Sequence, residues 1–268
     1  MQPIPSETDR SFVALDLETT GLFAATDRIV EVGAVWFDAG GKELDTFECL
    51  VHPGRPMSPA AQAIHGISDA MLADASPASE VLPRFLDWLG HAEATALLAH
   101  NARFDAGFLG SELARIGRPI PAWPVHDTLD LARRRLPTAP NHRLDTLARM
   151  FQLDESLAHR ALADSRRVKG LWLALADDRM PIAYRLYVVG AARTPGPAGW
   201  DDLDLAITRG ATVRIEYNGG TQGPGPRLIT PRRWLHKGGV TYLVAFCHRD
   251  DYEKCFRVDR LRSYEIVS

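Results

Sequence analysis

Asp16 and Glu18 stand two residues apart where an apolar run, Ser11-Phe12-Val13-Ala14-Leu15, comes to its end. The run reads as a buried strand, and on a strand such a pair shares one face. Two carboxylates side by side at the rim of a core repel each other and lose hydration. A divalent cation relieves both costs, because hard cations take carboxylate oxygens. Gly21 then lets the backbone turn away sharply. Taken alone, an Asp-x-Glu pair is more often an ordinary strand end with two solvated acids.

Asp105, His159 and Asp164 change that balance. Alone, Asp105 reads as a helix-opening acid that interacts with the dipole. Alone, His159 reads as a surface or capping histidine, and Asp164 as a solvated helix position. Jointly they are four carboxylates and one imidazole, each following or opening an element. An oxygen donor set favours Mg²⁺ or Mn²⁺ over zinc, and an ordinary histidine, with a pKa of about 6.5, suits a general base near neutrality. The five residues from His159 to Asp164 would subtend about 500° on a helix, so the two side chains diverge and the histidine belongs to the loop ahead of the helix.

The elements that must position these residues can be read in chain order. After the first strand come β-rich residues 28–38, a turn at Ala39-Gly40-Gly41 and a third strand over 43–52, which together make an antiparallel meander. Ser58-Pro59 and Ser76-Pro77 carry N-cap and first-turn signals for helices. A short buried strand over 95–99 runs into His100-Asn101-Ala102-Arg103-Phe104-Asp105, and Phe108, Leu109, Leu113 and Ile116 mark the helix that follows. Val125 sits in a fifth strand, Asp127 caps a helix over 129–136, residues 144–151 form another, and residues 161–177 form the longest amphipathic helix. This order predicts an α/β mixed sheet with helices on both faces. Residues 180–190 are apolar and without a clear pattern, and residues 194–199 have a linker composition. Five short β-like runs follow between 212 and 267, as in a small all-β barrel.

Composition sets the remaining bounds. A chain of 268 residues with 46% hydrophobic and 24% charged residues is ordinary for one or two globular domains. Its three cysteines, with no Cys-x-x-Cys, argue for a reducing cytoplasm and against a disulfide framework or cysteine zinc site. Cys247 and Cys255 are read as two buried thiols in preference to a pair facing each other across a hairpin. Residues 1–10 lack the apolar run of a signal peptide, and no stretch is long enough to span a membrane. Residues 203–268 carry 11 Lys+Arg against 7 Asp+Glu, whereas the rest carries 20 against 27. An acidic front suits a carboxylate-lined metal site, and a basic back suits phosphates.

Asp16-Leu17-Glu18-Thr19-Thr20-Gly21, His100-Asn101-Ala102-Arg103-Phe104-Asp105 and the His159–Asp164 spacing resemble the three motifs of the DEDDh 3′–5′ exonuclease family, over about residues 10–176. Ile64-His65-Gly66-Ile67 matches the polymerase-proofreader branch. The resemblance implies a ribonuclease H-like fold and two Mg²⁺ or Mn²⁺ ions. It assigns Asp16, Glu18, Asp105 and Asp164 to the metals and His159 to the proton of the attacking water. It places the terminal nucleotide at Thr19, Gly21 and Leu22, flanked by His65 and Phe104, while His100 and Asn101 shape their loop. The substrate it implies is nucleic acid, with single-stranded DNA ahead of RNA.

Near the C-terminus, Tyr217, Arg227-Leu228-Ile229-Thr230-Pro231, Tyr242-Leu243 and Phe256-Arg257-Val258-Asp259-Arg260-Leu261 resemble a WYL domain, a small Sm-like β-barrel, although Thr241 stands where the naming tryptophan would be. The implied contacts to a nucleotide or single strand are Tyr242, Arg257 and Arg260, with Arg232 behind them. The expected layout is a nuclease domain over 6–178, a linker over 179–202 and the β domain over 203–268. Two other readings compete: an RNA- or oligonucleotide-processing exonuclease, and a nucleic-acid-binding regulator whose nuclease domain is an inactive platform.

Overall fold

The computed structural model describes residues 10–92, 94, 96–153, 159–175, 184–189, 194–220 and 223–267. Two compact units emerge, one from residues up to 24 and from 28 to 189, the other from residues 25–27 and from 190 onward. The expected linker over 179–202 lies partly outside the described residues, as do the ends of the expected nuclease domain.

In the first unit a six-stranded sheet has the order β3-β2-β1-β4-β5-β6. Its strands are β1 (Ser11–Thr19), β2 (Ile29–Asp38), β3 (Glu43–Leu50), β4 (Ala96–Ala99), β5 (Pro124–Asp127) and β6 (Tyr184–Arg185). β1, β2 and β3 pair antiparallel, while β4 runs parallel to β1 and β5 parallel to β4. This is the mixed sheet read from the sequence. β6 is an addition, antiparallel to β5, from the stretch that had no clear pattern.

Helices cover both faces. The helices of this unit are α1 (Pro59–His65), α2 (Asp69–Leu72), α3 (Ala78–Ala92), α4 (Ala102–Arg115), α5 (Thr128–Arg135), α6 (Leu144–Met150) and α7 (Ala161–Leu175). Val13, Leu15 and Leu17 of β1 join Val81, Phe85, Leu109 and Leu113 of α3 and α4 in one core. Ala14 faces the other way, into a core with Leu131, Leu147, Val168 and Leu171 of α5, α6 and α7. By the same alternation Asp16 and Glu18 belong to the α7 face. That face therefore holds two acids of β1 and the helix that carries Asp164.

One glycine fixes how closely α7 approaches. Gly33 lies opposite Asp16 in the β1–β2 ladder. A Cβ at Gly33 would fall 2.1 Å from both Ala161 C and Leu162 N, so the first turn of α7 rests directly on the backbone of β2. Asp164 belongs to that same first turn.

The second unit contains α8 (Asp201–Arg209) and the strands β7 (Val213–Tyr217), β8 (Gly225–Lys237), β9 (Val240–Cys247), β10 (Tyr252–Arg257) and β11 (Leu261–Ile266). All neighbours pair antiparallel, in the order β10-β9-β8-β7-β11. Among the described residues no ladder joins β10 to β11, so the strands form a sheet with two ends, where the sequence predicted a closed barrel. β8 accounts for the shape. It pairs with β7 through residues 225–229 and with β9 through 229–237, with a register shift between Pro231 and Arg233. Its two halves thus belong to different ladders.

α8 is a further difference: it takes up the last two residues of the expected linker and the first seven of the expected all-β domain. Three acids, Asp201, Asp202 and Asp204, occupy its first turn, Leu203 and Ala206 are buried, and Gly210 ends it in the left-handed region. These are ordinary helix signals, hidden by the Gly/Pro-rich stretch just ahead. Cys247 pairs with Tyr252 and Cys255 with Val244, so the two thiols do not face each other across the hairpin, and only Cys247 is fully buried, Cys255 being half-buried. No helix among the described residues is long and apolar enough to cross a membrane.

Gly33→Ala sets a methyl group against backbone atoms that cannot rotate aside. Overpacking of this kind costs about 3 kcal/mol, or a fall in Tm of roughly 6–12 °C. Thermal unfolding of the variant checks this, and a Tm unchanged within error would contradict the close β2–α7 approach.

Candidate active site

The end of β1 bears Asp16 and Glu18, both half-buried. Past β4, the parallel partner of β1, the chain turns through Asn101 in the left-handed region (φ 67°) and enters α4, which buries Asp105 in its first turn. Asp164 is buried in the first turn of α7. Asp16, Glu18 and Asp164 each place one carboxylate oxygen within 4.8 Å of the others. Asp105 is not part of that group, but its charge is felt there, second only to burial in raising Asp16.

Burial and mutual repulsion shape the protonation of these acids. Burial, then repulsion from Asp105, Glu18, Asp164 and Glu31, holds Asp16 well above the usual carboxylate range. Burial, then Asp164 and Glu31, pushes Glu18 up to about 8, with Arg160 opposing. Burial also raises Asp105, against the hydrogen bonds from its own and the Leu17 backbone. It raises Asp164 against the pull of Arg167 and His159. Three converging oxygens that suppress one another's ionisation, with no thiol or imidazole among them, fit a divalent, oxygen-seeking cation.

His159 sits in the left-handed region (φ 62°), just ahead of α7, on the loop where the spacing argument placed it. Its backbone N–H donates to Asp164 Oδ2 at 3.1 Å. Its ring is half-exposed, with Nε2 3.8 Å from Asp145 Oδ2.

Four neighbours of this site were not singled out from the sequence. Glu31, opposite Glu18 in the ladder, is fully buried. Arg160 grips it with Nε at 3.0 Å and Nη2 at 2.5 Å, and the Ala161 N–H at the head of α7 adds a bond at 2.9 Å. An acid in the otherwise apolar run Ile29-Val30-Glu31-Val32 was the available signal. Arg167 is only 2% exposed. Its Nη1 donates to Asp164 Oδ1 at 2.7 Å and to Asp145 Oδ1 at 3.4 Å. Nothing in the local sequence distinguishes Arg167 from Arg166, whose side chain reaches Glu43 on the exposed side.

The residues expected near substrate are placed as follows. Thr19 Oγ1 donates to Gly21 O at 2.7 Å and closes a tight turn. Leu22 is 65% exposed. His65 is buried, and its Nδ1 accepts from the Ile67 N–H at 3.0 Å. Burial lowers its pKa, so the neutral ring carries its proton on Nε2, which lies 3.3 Å from the Thr19 carbonyl. Phe104 is half-buried, its ring 4.6 Å from that of Phe108. His100, its pKa lowered by burial, bridges Thr128 Oγ1 at 3.0 Å and the His142 carbonyl at 2.9 Å. Asp127 Oδ1 accepts from the N–H groups of both Asn101 and Leu129 at 2.9 Å, joining the loop after β4 to the first turn of α5.

In the second unit Tyr242 lies opposite Arg257 in the β9–β10 ladder. The Arg257 guanidinium is paired with Asp259 at 3.0 and 2.7 Å, and its backbone N–H donates to Tyr217 Oη at 3.1 Å. Arg260 is exposed, with Nη1 3.1 Å from where a Cβ on Gly219 would stand. Arg232 is also exposed.

Comparison with known proteins agrees with this geometry. The family profile described as Exonuclease matches residues 13–171, and that of the WYL domain matches residues 200–266. The DNA polymerase III PolC-type of Bacillus subtilis is 39% identical over 171 residues, which are 63% of this chain and 12% of the relative. The PolC-type enzyme of Oceanobacillus iheyensis is 41% identical over 165 residues, 60% of this chain and 11% of that one. The chain thus spans about an eighth of these relatives' length. Two solved structures share the fold. Escherichia coli exonuclease I in complex with a dT13 oligonucleotide has a TM-score of 0.57 at 18% identity, covering 88% of this chain and 55% of that one. The nuclease domain of 3′hExo, a DEDDh family member bound to rAMP, has a TM-score of 0.56 at 18% identity, covering 65% and 96%. Since the first profile spans more than half of the chain and takes in every residue of the carboxylate cluster, the protein belongs to the exonuclease family.

Proposed function

We propose that the protein is a metal-dependent 3′–5′ exonuclease that releases nucleoside 5′-monophosphates from the 3′ end of single-stranded DNA. The observation that carries this reading is the convergence of Asp16, Glu18 and Asp164 within 4.8 Å, beside a histidine whose backbone is bonded to Asp164. The preference for DNA rests on the identity with the PolC-type polymerases.

Asp16, Glu18 and Asp164 hold the metal, with Asp105 supporting a second ion of the pair, Mg²⁺ or Mn²⁺. Bound there, divalent ions supply an activated water and neutralise charge on the phosphodiester. His159 accepts the proton of the attacking water, from a loop whose backbone N–H is bonded to Asp164. Arg167 and the His159 N–H, on Oδ1 and Oδ2, hold the Asp164 carboxylate in place. The Glu31–Arg160 pair fixes the head of α7, and so the spacing between β1 and Asp164.

Thr19, Gly21 and Leu22 form the seat of the terminal nucleotide, with Leu22 offering an apolar face to a base. His65 supports that seat through the Thr19 carbonyl, and Phe104 backs it beside Phe108. In the second unit, Tyr242, Arg257 and Arg260 form the contact surface for a single strand or nucleotide. Arg and aromatic side chains together suit phosphate pairing and base stacking.

Asp16→Asn removes a ligand without changing side-chain size. Digestion of a 3′-labelled single strand should fall by more than about 100-fold, beyond the loss expected for an outer-shell partner. A variant that digests normally would overturn the site. Matched DNA and RNA strands of several lengths should show faster turnover of DNA. Faster RNA turnover would make the enzyme a ribonuclease, and metal-independent binding without digestion would make the domain a platform.

The raised carboxylates also predict proton release. Glu18 keeps its proton up to about pH 8 without metal, and ligation requires the ionised form. Mn²⁺ binding at pH 6.5 should therefore release about one proton or more, and fewer at pH 9. Calorimetry in two buffers of different ionisation heat measures this. The folded-state pKa of Glu18 exceeds its unfolded value, so between about pH 4.5 and 8 the folded form binds more protons. Stability of the metal-free protein should fall as pH rises through that window, and saturating Mn²⁺ should reverse the trend. Proton uptake on Mn²⁺ binding would contradict the raised values.

A further inference from the structure

Glu112 is fully buried on α4, about two turns beyond Asp105. Its carboxylate meets two arginines. Arg28 approaches with Nε at 2.5 Å and Nη2 at 3.0 Å, and Arg115 with Nη1 at 3.0 Å. Each arginine also holds a backbone carbonyl. Arg28 Nη1 donates to Pro53 O at 3.0 Å, and Arg115 Nη2 to Ala24 O at 2.5 Å. The chain they grip leaves β1 through Thr19–Ala24 and re-enters the sheet as β2. Its neck is closed by two bonds: Thr20 N–H to Arg28 O at 2.9 Å, and Arg28 N–H to Thr20 Oγ1 at 3.1 Å.

A charged group this deep is costly unless fully paired, and losing one partner strands the others. Glu112, Arg28 and Arg115 therefore act as one unit. None of the bonds named above goes to Asp16, Glu18 or Asp164. What it fixes is the backbone just beyond them. Through Ala24 O it reaches the turn of Thr19–Leu22, and through Arg28 it holds the other end of the same neck. α4 carries both Asp105 and Glu112, so one rigid helix sets the acid and the turn in a common frame.

We propose that Glu112, acting through Arg28 and Arg115, is a positioning residue that sets the backbone of Thr20–Ala24 for seating the 3′-terminal nucleotide. This rests on the proposed reading of that turn as the nucleotide seat. It separates two tasks in the site: the carboxylate cluster holds metal, and the buried triad shapes the place where the strand end is received. Loss of the triad loosens ground-state and transition-state binding alike, so KM rises while kcat is kept.

Two variants test it, Glu112→Gln and Arg115→Met, each measured in three ways. Backbone amide exchange over residues 20–24 should accelerate by about tenfold or more. KM for a single-stranded DNA oligonucleotide should rise about 5–10-fold with kcat within about twofold. Mn²⁺ affinity by calorimetry should stay within about twofold of the parent protein. Unchanged exchange and unchanged KM in a folded variant would overturn the proposal. So would a parallel loss of kcat and Mn²⁺ affinity, which would mean that Glu112 serves the carboxylate cluster instead. If Glu112→Gln does not fold, Arg115→Met decides, because it keeps the Arg28–Glu112 pair and removes the hold on Ala24. If the parent protein digests no nucleic acid, the functional reading fails, while amide exchange still decides whether the triad sets the turn.

Discussion

Repulsion among buried carboxylates is the constraint on which the first unit depends. Asp16, Glu18, Asp105, Asp164 and Glu31 raise or are raised by one another, on top of the cost of burial. Without offsetting charge such a cluster would favour opening. Two arginines supply part of the offset inside the protein. Arg160 is committed to Glu31, and Arg167 to Asp164. Burial with like charge keeps Asp16 well above the ordinary range. The internal cations thus stabilise the rim of the cluster and leave its centre in deficit. A metal centre needs this division, because a fully neutralised cluster would have little attraction for a cation.

The fold serves that arrangement through backbone contacts more than through side-chain packing. β1 brings its two acids to the α7 face by simple alternation. Gly33 then lets α7 lie on β2 with nothing between. Glu31 ties the first N–H of α7 to the same strand. Asp164 therefore owes its position to a strand-to-helix approach set by one absent side chain and one buried acid.

Much of this was legible in the sequence. The alternating order of elements, the Ser58 cap, Asp127 as cap of α5 and the placement of His159 ahead of α7 all follow local rules that act within a few residues. Asp16, Glu18 and Asp164 announced themselves because acids at element ends are unusual as a set. Their partners did not. Arg160, Arg167, Asp145 and Glu112 owe their importance to contacts between segments far apart in the chain, which periodicity does not encode. α8 was missed for a different reason, since flanking glycines and prolines outweighed sound helix signals. The barrel was anticipated because regularly spaced short strands suggest closure, whereas the length of β8 and its register shift determine which edges meet.

Asp127 carries one more consequence. A single oxygen of its carboxylate receives the N–H of Asn101 and that of Leu129. The loop after β4 and the first turn of α5 are thereby locked to one atom. Loops usually absorb insertions and deletions readily, since they lie outside the sheet. Here an extra residue in that loop or at the head of α5 would draw its amide away from that oxygen and disturb its neighbour too. Variation in length over evolution should therefore be excluded from this edge of the sheet and diverted elsewhere, such as the longer connection between α5 and α6.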